Sequence, residues 1–274
     1  MRSKDFRSEL RKVAYSNIAT YKACKWIDYT FSYSLKRKFY AHNDIVVCGI
    51  SRSGSSLIYN IVKYLLSRGT HSEMEYFISQ GSYYQTLQEK KFLRLKKTHH
   101  FSYLLRQRIV VGSTIGLFTH RNLLDIIASM IQKGWANSVD EVLQNSKLEG
   151  LVYNAILFAR TSHIYSFSYI DILNDRRATI KKIAKILKID ITESDIQDCY
   201  EKTSPKVVKQ NIEFSKKSQV GNKKVNLETG FHENHINQPE DGKWKNVLSD
   251  SDIKQLKKNN SFNVYNEFFN YEIK

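Results

Sequence analysis

Residues 44–60 read DIVVCGISRSGSSLIYN. Ile45, Val46, Val47 and Cys48 form a short apolar run closed by Gly49, the pattern of a strand buried on both faces in a parallel sheet. The small polar run SRSGSS at 51–56 leads into Leu57, Ile58, Ile61, Val62, Leu65 and Leu66, whose spacing makes one apolar helix face ending near Gly69. Strand, small-residue turn and helix together aim backbone N–H groups and the positive end of a helix dipole at an anion. Gly54 lets the backbone come close. Ser53 lies in the turn, Ser55 and Ser56 add hydroxyl donors, and Arg52 adds a fork of fixed charge. The nucleotide-kinase form of such a turn, GxxxxGK[ST], is not matched, which disfavours a simple ATPase.

The 274 residues are enough for one substantial α/β domain, which we assign to residues 44–274, preceded by a basic, aromatic segment at 1–43 that reads as one or two helices. Packing of that segment against the domain is the plainer reading, and peripheral contact with a membrane surface the other. Lys and Arg number 43 against 27 acidic residues, a net charge of +16 that favours polyanionic partners. Cys24, Cys48 and Cys199 are too few and too scattered for a disulfide framework or a metal cluster, so no metal is expected. No run approaches the ~18 apolar residues of a spanning helix, and a reducing, cytoplasmic setting is the expectation.

Further along, residues 70–88 read as an irregular excursion that could shape a ligand crevice, with Glu73 and Glu75 as its acids. Residues 92–100 alternate apolar and basic side chains, predicting a strand that ends at Lys97 or Thr98 and leaves His99 just beyond it. A strand over 115–119 is followed by a helix holding Asp125 in its first turn. Arg121 and Ser129, eight residues apart across that strand-to-helix reversal, can be aimed at one anion. A helix is read over 151–159, a strand over 163–170, and amphipathic helices over 175–188 and 192–200. Residues 212–241 are polar and read as a mobile loop.

These stretches resemble, in order, the signatures of the sulfotransferases that use 3'-phosphoadenosine 5'-phosphosulfate (PAPS). Ser51 to Ser56 resemble the PRSGTT or PKSGTT loop, with Ser51 for proline and serines for threonines. Lys97-Thr98-His99 is similar to the KTH segment, whose histidine takes the acceptor's proton. Arg121, Asn122, Asp125 and Ser129 match R-(D/N)-x-x-D-x-x-x-S, the 3'-phosphate signature. Tyr169-Ile170-Asp171 resembles YED, making Tyr169 an adenine neighbour. Residues 202–211 resemble KTSFxxMKxN, with Thr203 near the adenine and Pro205 where an aromatic is usual. Residues 242–249 are similar to GDWKNxFT, which adds Trp244 and Lys245 to the cofactor site. The Arg-Lys-Gly triplet that normally precedes it is replaced by Asn237-Gln238-Pro239, and His235, Lys243 or Lys245 are the cations at hand to stand in for it.

The resemblance implies a P-loop NTPase-like three-layer sandwich, a parallel β-sheet flanked by helices. It implies transfer of the sulfuryl group from PAPS to a hydroxyl-bearing acceptor, a glycan, lipid or small molecule, without specific nucleic-acid binding. Arg52 and the loop N–H groups would hold the 5'-phosphosulfate, Arg121 and Ser129 the 3'-phosphate; His99 would be the base and Lys97 its assistant at the sulfuryl group. Glu73 or Glu75 is the alternative base. A non-enzymatic polyanion- or nucleotide-binding protein, recognising its partner by the +16 charge, is the rival reading.

Overall fold

The computed structural model describes residues 44–68, 75–78, 94–99, 103–144, 147–204, 206, 207, 210 and 242–271. The expected helices in 1–43, Glu73, Pro205, His235 and the loop at 212–241 lie outside the described residues. Five strands, β1 (Asp44–Gly49), β2 (Glu75–Ile78), β3 (Arg94–Thr98), β4 (Thr114–His120) and β5 (Ile164–Ser168), form a single sheet in the order β2-β3-β1-β4-β5. Every pairing is parallel. After β1 the chain moves to one side for β2 and β3, then returns past it for β4 and β5. Ligands in such sheets bind outside the carboxyl ends of the strands at that reversal, so the β1, β3 and β4 ends are where chemistry is to be sought.

The apolar run of β1 is continuous because both of its faces are covered. Ile45 and Val47 enter one core with Ile58, Ile61, Val62 and Leu65 of α1 (Ser55–Arg68). Val46 and Cys48 enter the opposite core with Phe118 of β4 and with Ile126 and Ile127 of the helix that follows it. Helices α2 (Tyr103–Val110), α3 (Leu123–Gln132), α4 (Val139–Gln144) and α5 (Lys147–Ala159) follow in order. Next come α6 (Tyr169–Asn174), α7 (Arg176–Leu187) and α8 (Glu193–Lys202), and the C-terminal pair α9 (Asp250–Lys257) and α10 (Asn260–Phe269) completes the chain. Ile180 and Ile183 of α7 join the first core; Leu256, Phe262 and Tyr265 of the C-terminal pair join the second. Two apolar layers on either side of one sheet make the three-layer sandwich expected from the sequence.

Two elements differ from the expectation. Residues 75–78, placed in an irregular excursion, are the edge strand β2, in register with β3 from Glu75↔Arg94 to Ile78↔Lys97. Glu75 therefore starts its strand at the end of the sheet remote from Lys97. At about 3.3 Å of rise per residue, its backbone lies roughly 10 Å from the carboxyl edge. The strand read over 163–170 stops at Ser168, and Tyr169 opens α6 instead. Asp44, at the start of β1, is fully buried and pairs with Arg108 of α2 at 2.9 Å. A buried carboxylate needs such a partner.

Candidate active site

Gly49 ends β1 at its closest approach to β4. A Cβ there would lie 2.2 Å from Thr119 Oγ1 and 2.7 Å from Ser53 Oγ, so the position accommodates only hydrogen. The turn beyond it is shaped by two left-handed residues, Arg52 at φ 74° and Gly54 at φ 92°. A non-glycine residue in that region carries backbone strain, a feature that concentrates at functional turns. The reversal turns Ser53 inward. Its hydroxyl donates to Ile50 O at 2.6 Å and lies 2.6 Å from Thr119 Oγ1, while its N–H bonds Ile50 O at 3.1 Å. Ser53, assigned to the cofactor from sequence, thus closes the turn on Ile50 O with its N–H and its hydroxyl, and the hydroxyl also braces the loop on Thr119 of β4. The first turn of α1 begins at Ser55, and the N–H groups of Leu57 and Ile58 close it back on Gly54 O at 2.9 and 3.3 Å.

Lys97, the fourth residue of β3, reaches across to α1, where its ammonium donates to Ser56 Oγ at 2.6 Å. Burial, and after it the charge of Arg52, lower its pKa from the usual lysine range to about 8. His99 is exposed just past the strand, and its Nδ1 lies 2.8 Å from Gly49 O. A carbonyl can only accept, so Nδ1 carries the hydrogen and the lone pair of the neutral ring resides on Nε2. That tautomer suits a base.

On the other flank, Arg121 leaves β4 and its guanidinium pairs with Asp125 at 3.2 Å. The plane of Arg121 also lies over the Tyr169 ring, 4.3 Å from its centroid. Tyr169 in turn covers Gly54, where a Cβ would come within 2.7 Å of the ring. Two turns into α3, Ser129 Oγ accepts a 2.7 Å hydrogen bond from Arg52 Nε. The phosphate loop and the second anion signature, 77 residues apart in sequence, therefore meet directly. Burial, and after it the neighbouring Arg121, lower the pKa of Arg52 from the usual guanidinium range.

Several contacts around these residues are non-local and carry no signal in the sequence. Asp125 does more than favour the helix dipole: its carboxylate accepts from the N–H groups of Gly242 at 3.0 Å and Trp244 at 3.1 Å. It docks the short 3-10 helix Lys243–Asn246 beside α3. Tyr265 of α10 donates its hydroxyl to Arg121 O at 2.8 Å, fixing the backbone from which that guanidinium projects. Lys133 caps the C-terminus of α3 and feels both Arg52 and Lys243. Of the remaining sequence candidates, Trp244 packs on the core beside α3, and Lys245 is exposed with its ammonium over the Trp244 ring. Thr203 caps α8 and donates its hydroxyl to Cys199 O at 2.7 Å. Among the described residues there is no cluster able to hold a metal ion, and no helix is long and apolar enough to cross a membrane.

A charge-shifted lysine offers a direct check on this geometry. An anion beside Lys97 favours its charged form, so binding of 3'-phosphoadenosine 5'-phosphate (PAP) near pH 8–9 is expected to take up a proton, with affinity falling as pH rises through that window. Phosphate groups titrate near pH 6 and do not contribute there. For stability the sign is opposite. The unfolded chain holds this proton up to the ordinary lysine pKa of about 10.4, so the burial cost is fully present below pH ~8 and fades as pH rises beyond it. Calorimetry in buffers of different ionisation enthalpy measures the uptake, which should vanish in Lys97→Met.

No curated protein sequence matches the chain significantly. Among solved structures it resembles the mouse sulfotransferase SULT7A1 complexed with PAP, with a TM-score of 0.60 and 14% identity over 87% of this chain and 92% of the other. Retinol dehydratase in complex with androsterone and PAP gives 0.57 and 14% over 82% and 80%. The same enzyme with retinol and PAP gives 0.56 and 13%, over 86% of each chain. At such identities these likenesses establish the fold. The family follows from the sulfotransferase-domain model, which matches residues 42–265 and so takes in all five strands and the candidate site between them: the chain belongs to the sulfotransferase family and is an enzyme of that class.

Proposed function

We propose that the protein moves the sulfuryl group of PAPS to an acceptor hydroxyl by in-line displacement. The observation that carries this reading is the 2.7 Å contact of Arg52 with Ser129, beside Arg121 and Tyr169. It joins a 5'-phosphate loop and a 3'-phosphate signature into one site, the pairing that a nucleoside carrying phosphate at both positions demands. The PAP complexes of the structural neighbours support the same choice. The donor supplies an activated sulfur with a phosphate leaving group. Arg52, Lys97 and the N–H groups opening α1 stabilise charge that builds on the bridging oxygen. Arg121 and Ser129 hold the 3'-phosphate; the guanidinium lying on Tyr169 ties the nucleoside side of the site to Gly54.

His99 Nε2 accepts the proton of the acceptor hydroxyl as its oxygen bonds to sulfur and the sulfur–oxygen bond to the 5'-phosphate breaks. The carboxyl-edge position of His99, against the remote start of β2 at Glu75, favours histidine over that glutamate. The acceptor we assign is a hydroxyl compound, with a glycan among the fitting classes. Residues 44–274 form the catalytic domain in this reading, and residues 1–43 a separate segment with scope for peripheral membrane contact. The buried free thiols of Cys48 and Cys199 accord with a reducing cytoplasmic setting.

The rival is a protein that binds polyanions through net charge alone. Counterion release makes such binding collapse with salt, whereas loop amides and arginine forks in a confined site are screened less. Calorimetry is expected to give saturable one-to-one PAP binding that persists at physiological ionic strength of about 0.15 M. Binding that is salt-labile and displaced by any polyanion would sink the enzyme reading.

A further inference from the structure

Arg121 leaves the end of β4, and the last described residues of the chain hold that strand end at two successive positions. Helix α10 stops at Phe269 because Asn270 takes the left-handed region at φ 56°, and the N–H of Tyr271 turns back to Asn266 O at 2.9 Å. This closure brings the Tyr271 ring beside that of Tyr265, with centroids 6.2 Å apart and planes within 6°. The two hydroxyls then reach neighbouring residues: Tyr265 donates to Arg121 O at 2.8 Å, and the Tyr271 oxygen lies 2.9 Å from His120 Nδ1. The His120 ring stacks on Phe269 at 4.4 Å and on Phe118 at 6.0 Å, so its polar edge sits in apolar surroundings and depends on that bond. His120 is also the register partner of Ser168 on β5. The residues that follow the two are Arg121 and Tyr169, the cation and ring that stack at 4.3 Å over the phosphate loop. Tyr271 therefore grips the joint one residue behind that pair.

We propose that Tyr271, through His120, is a positioning residue for Arg121: the turn that follows α10 clasps the exit of β4 and holds the guanidinium in the pose that favours a nucleoside bisphosphate over a monophosphate. This deepens the PAPS reading and rests on it. A guanidinium gains from a phosphate only within narrow limits of distance and angle, and a group held there beforehand loses less freedom on binding. Tyr271 lies past residue 265, where the match to the sulfotransferase domain ends, so the clasp is supplied from outside the matched region. The plainer alternative is that the rings of His120, Phe269 and Tyr271 only complete the core beneath α10. In that case removing one hydroxyl lowers thermal stability and leaves the choice between ligands alone.

The test is calorimetric titration of the full chain with PAP and with adenosine 5'-phosphate, which lacks only the 3'-phosphate. The set comprises wild type, Tyr271→Phe, Arg121→Ala and the double variant, each with its melting temperature. Tyr271→Phe keeps the ring and removes the hydroxyl. It is expected to weaken PAP by about 3- to 10-fold, the range of one net hydrogen bond, and the monophosphate by less than about twofold. In the Arg121→Ala background the same change should cost PAP less than about twofold, because a residue that acts through Arg121 has nothing left to act on. Unchanged PAP affinity in Tyr271→Phe, an equal loss for both ligands, or a loss that persists undiminished without Arg121 would each overturn the clasp while leaving the cofactor reading standing. A wild-type chain that binds both nucleotides alike would instead overturn the cofactor reading itself, and this inference with it.

Discussion

His99→Ala is expected to lower turnover by about 10²- to 10⁴-fold, the usual loss when a positioned general base is removed. PAP affinity should stay near that of the unaltered protein, because the role proposed for the imidazole is toward the acceptor hydroxyl, and its Nδ1 rests on Gly49 O, ahead of the loop residues 51–56. A neutral imidazole carries a ring-nitrogen lone pair able to accept a proton. Its Nδ1 bond to the Gly49 carbonyl adds tautomeric control. Sulfuryl transfer to a model hydroxyl acceptor, measured together with PAP calorimetry, separates chemistry from binding. Glu73→Gln and Glu75→Gln are the matched controls, since amide replaces carboxylate with little change in shape. Should either lose turnover while His99→Ala keeps it, the proton goes to a carboxylate and the role assigned to His99 is wrong.

Arg121→Ala should weaken PAP by roughly 30- to 1000-fold, corresponding to about 2–4 kcal/mol for a buried charge-assisted contact. Adenosine 5'-phosphosulfate, which lacks the 3'-phosphate, should change little. The fold should tolerate the change, because Asp125 keeps the Gly242 and Trp244 N–H groups as partners when the guanidinium is gone. The variant also uncovers one face of the Tyr169 ring, a loss common to both ligands. The informative quantity is therefore the ratio of the two affinities. An equal fall for both would count against a 3'-phosphate role.

Where the sequence was legible, local chemistry was sufficient. The apolar run of β1, the glycine after it and the periodic face of α1 each carry their structural meaning within a few residues, and the element bounds followed to within one or two positions. The eight-residue step from Arg121 to Ser129 was readable because a strand end and a helix turn impose a fixed geometry on it. What escaped was non-local. The four residues of β2 are too few to show a period, and the strand exists through backbone pairing with β3. Asp125 reads in sequence as a helix start and a position of the signature, while its hold on the Gly242 and Trp244 N–H groups is visible only once the chain returns to it. Ser53 has the composition of a ligand donor, but the left-handed backbone at Arg52 turns it toward Thr119. Lys133 is indistinguishable in sequence from any solvated lysine at a helix end, and only its neighbours across space set it apart.

The docking of residues 242 and 244 on Asp125 spans 117 and 119 residues. Closing a connection of that length is entropically costly, and contacts of such separation form late in folding. On the ribosome, the phosphate loop and Arg121 emerge well before Gly242, so a growing chain displays half an anion site with its acidic clamp still open. A chain terminated before residue 242 would accordingly keep its sheet residues yet leave the buried Asp125 carboxylate without the two N–H donors of Gly242 and Trp244.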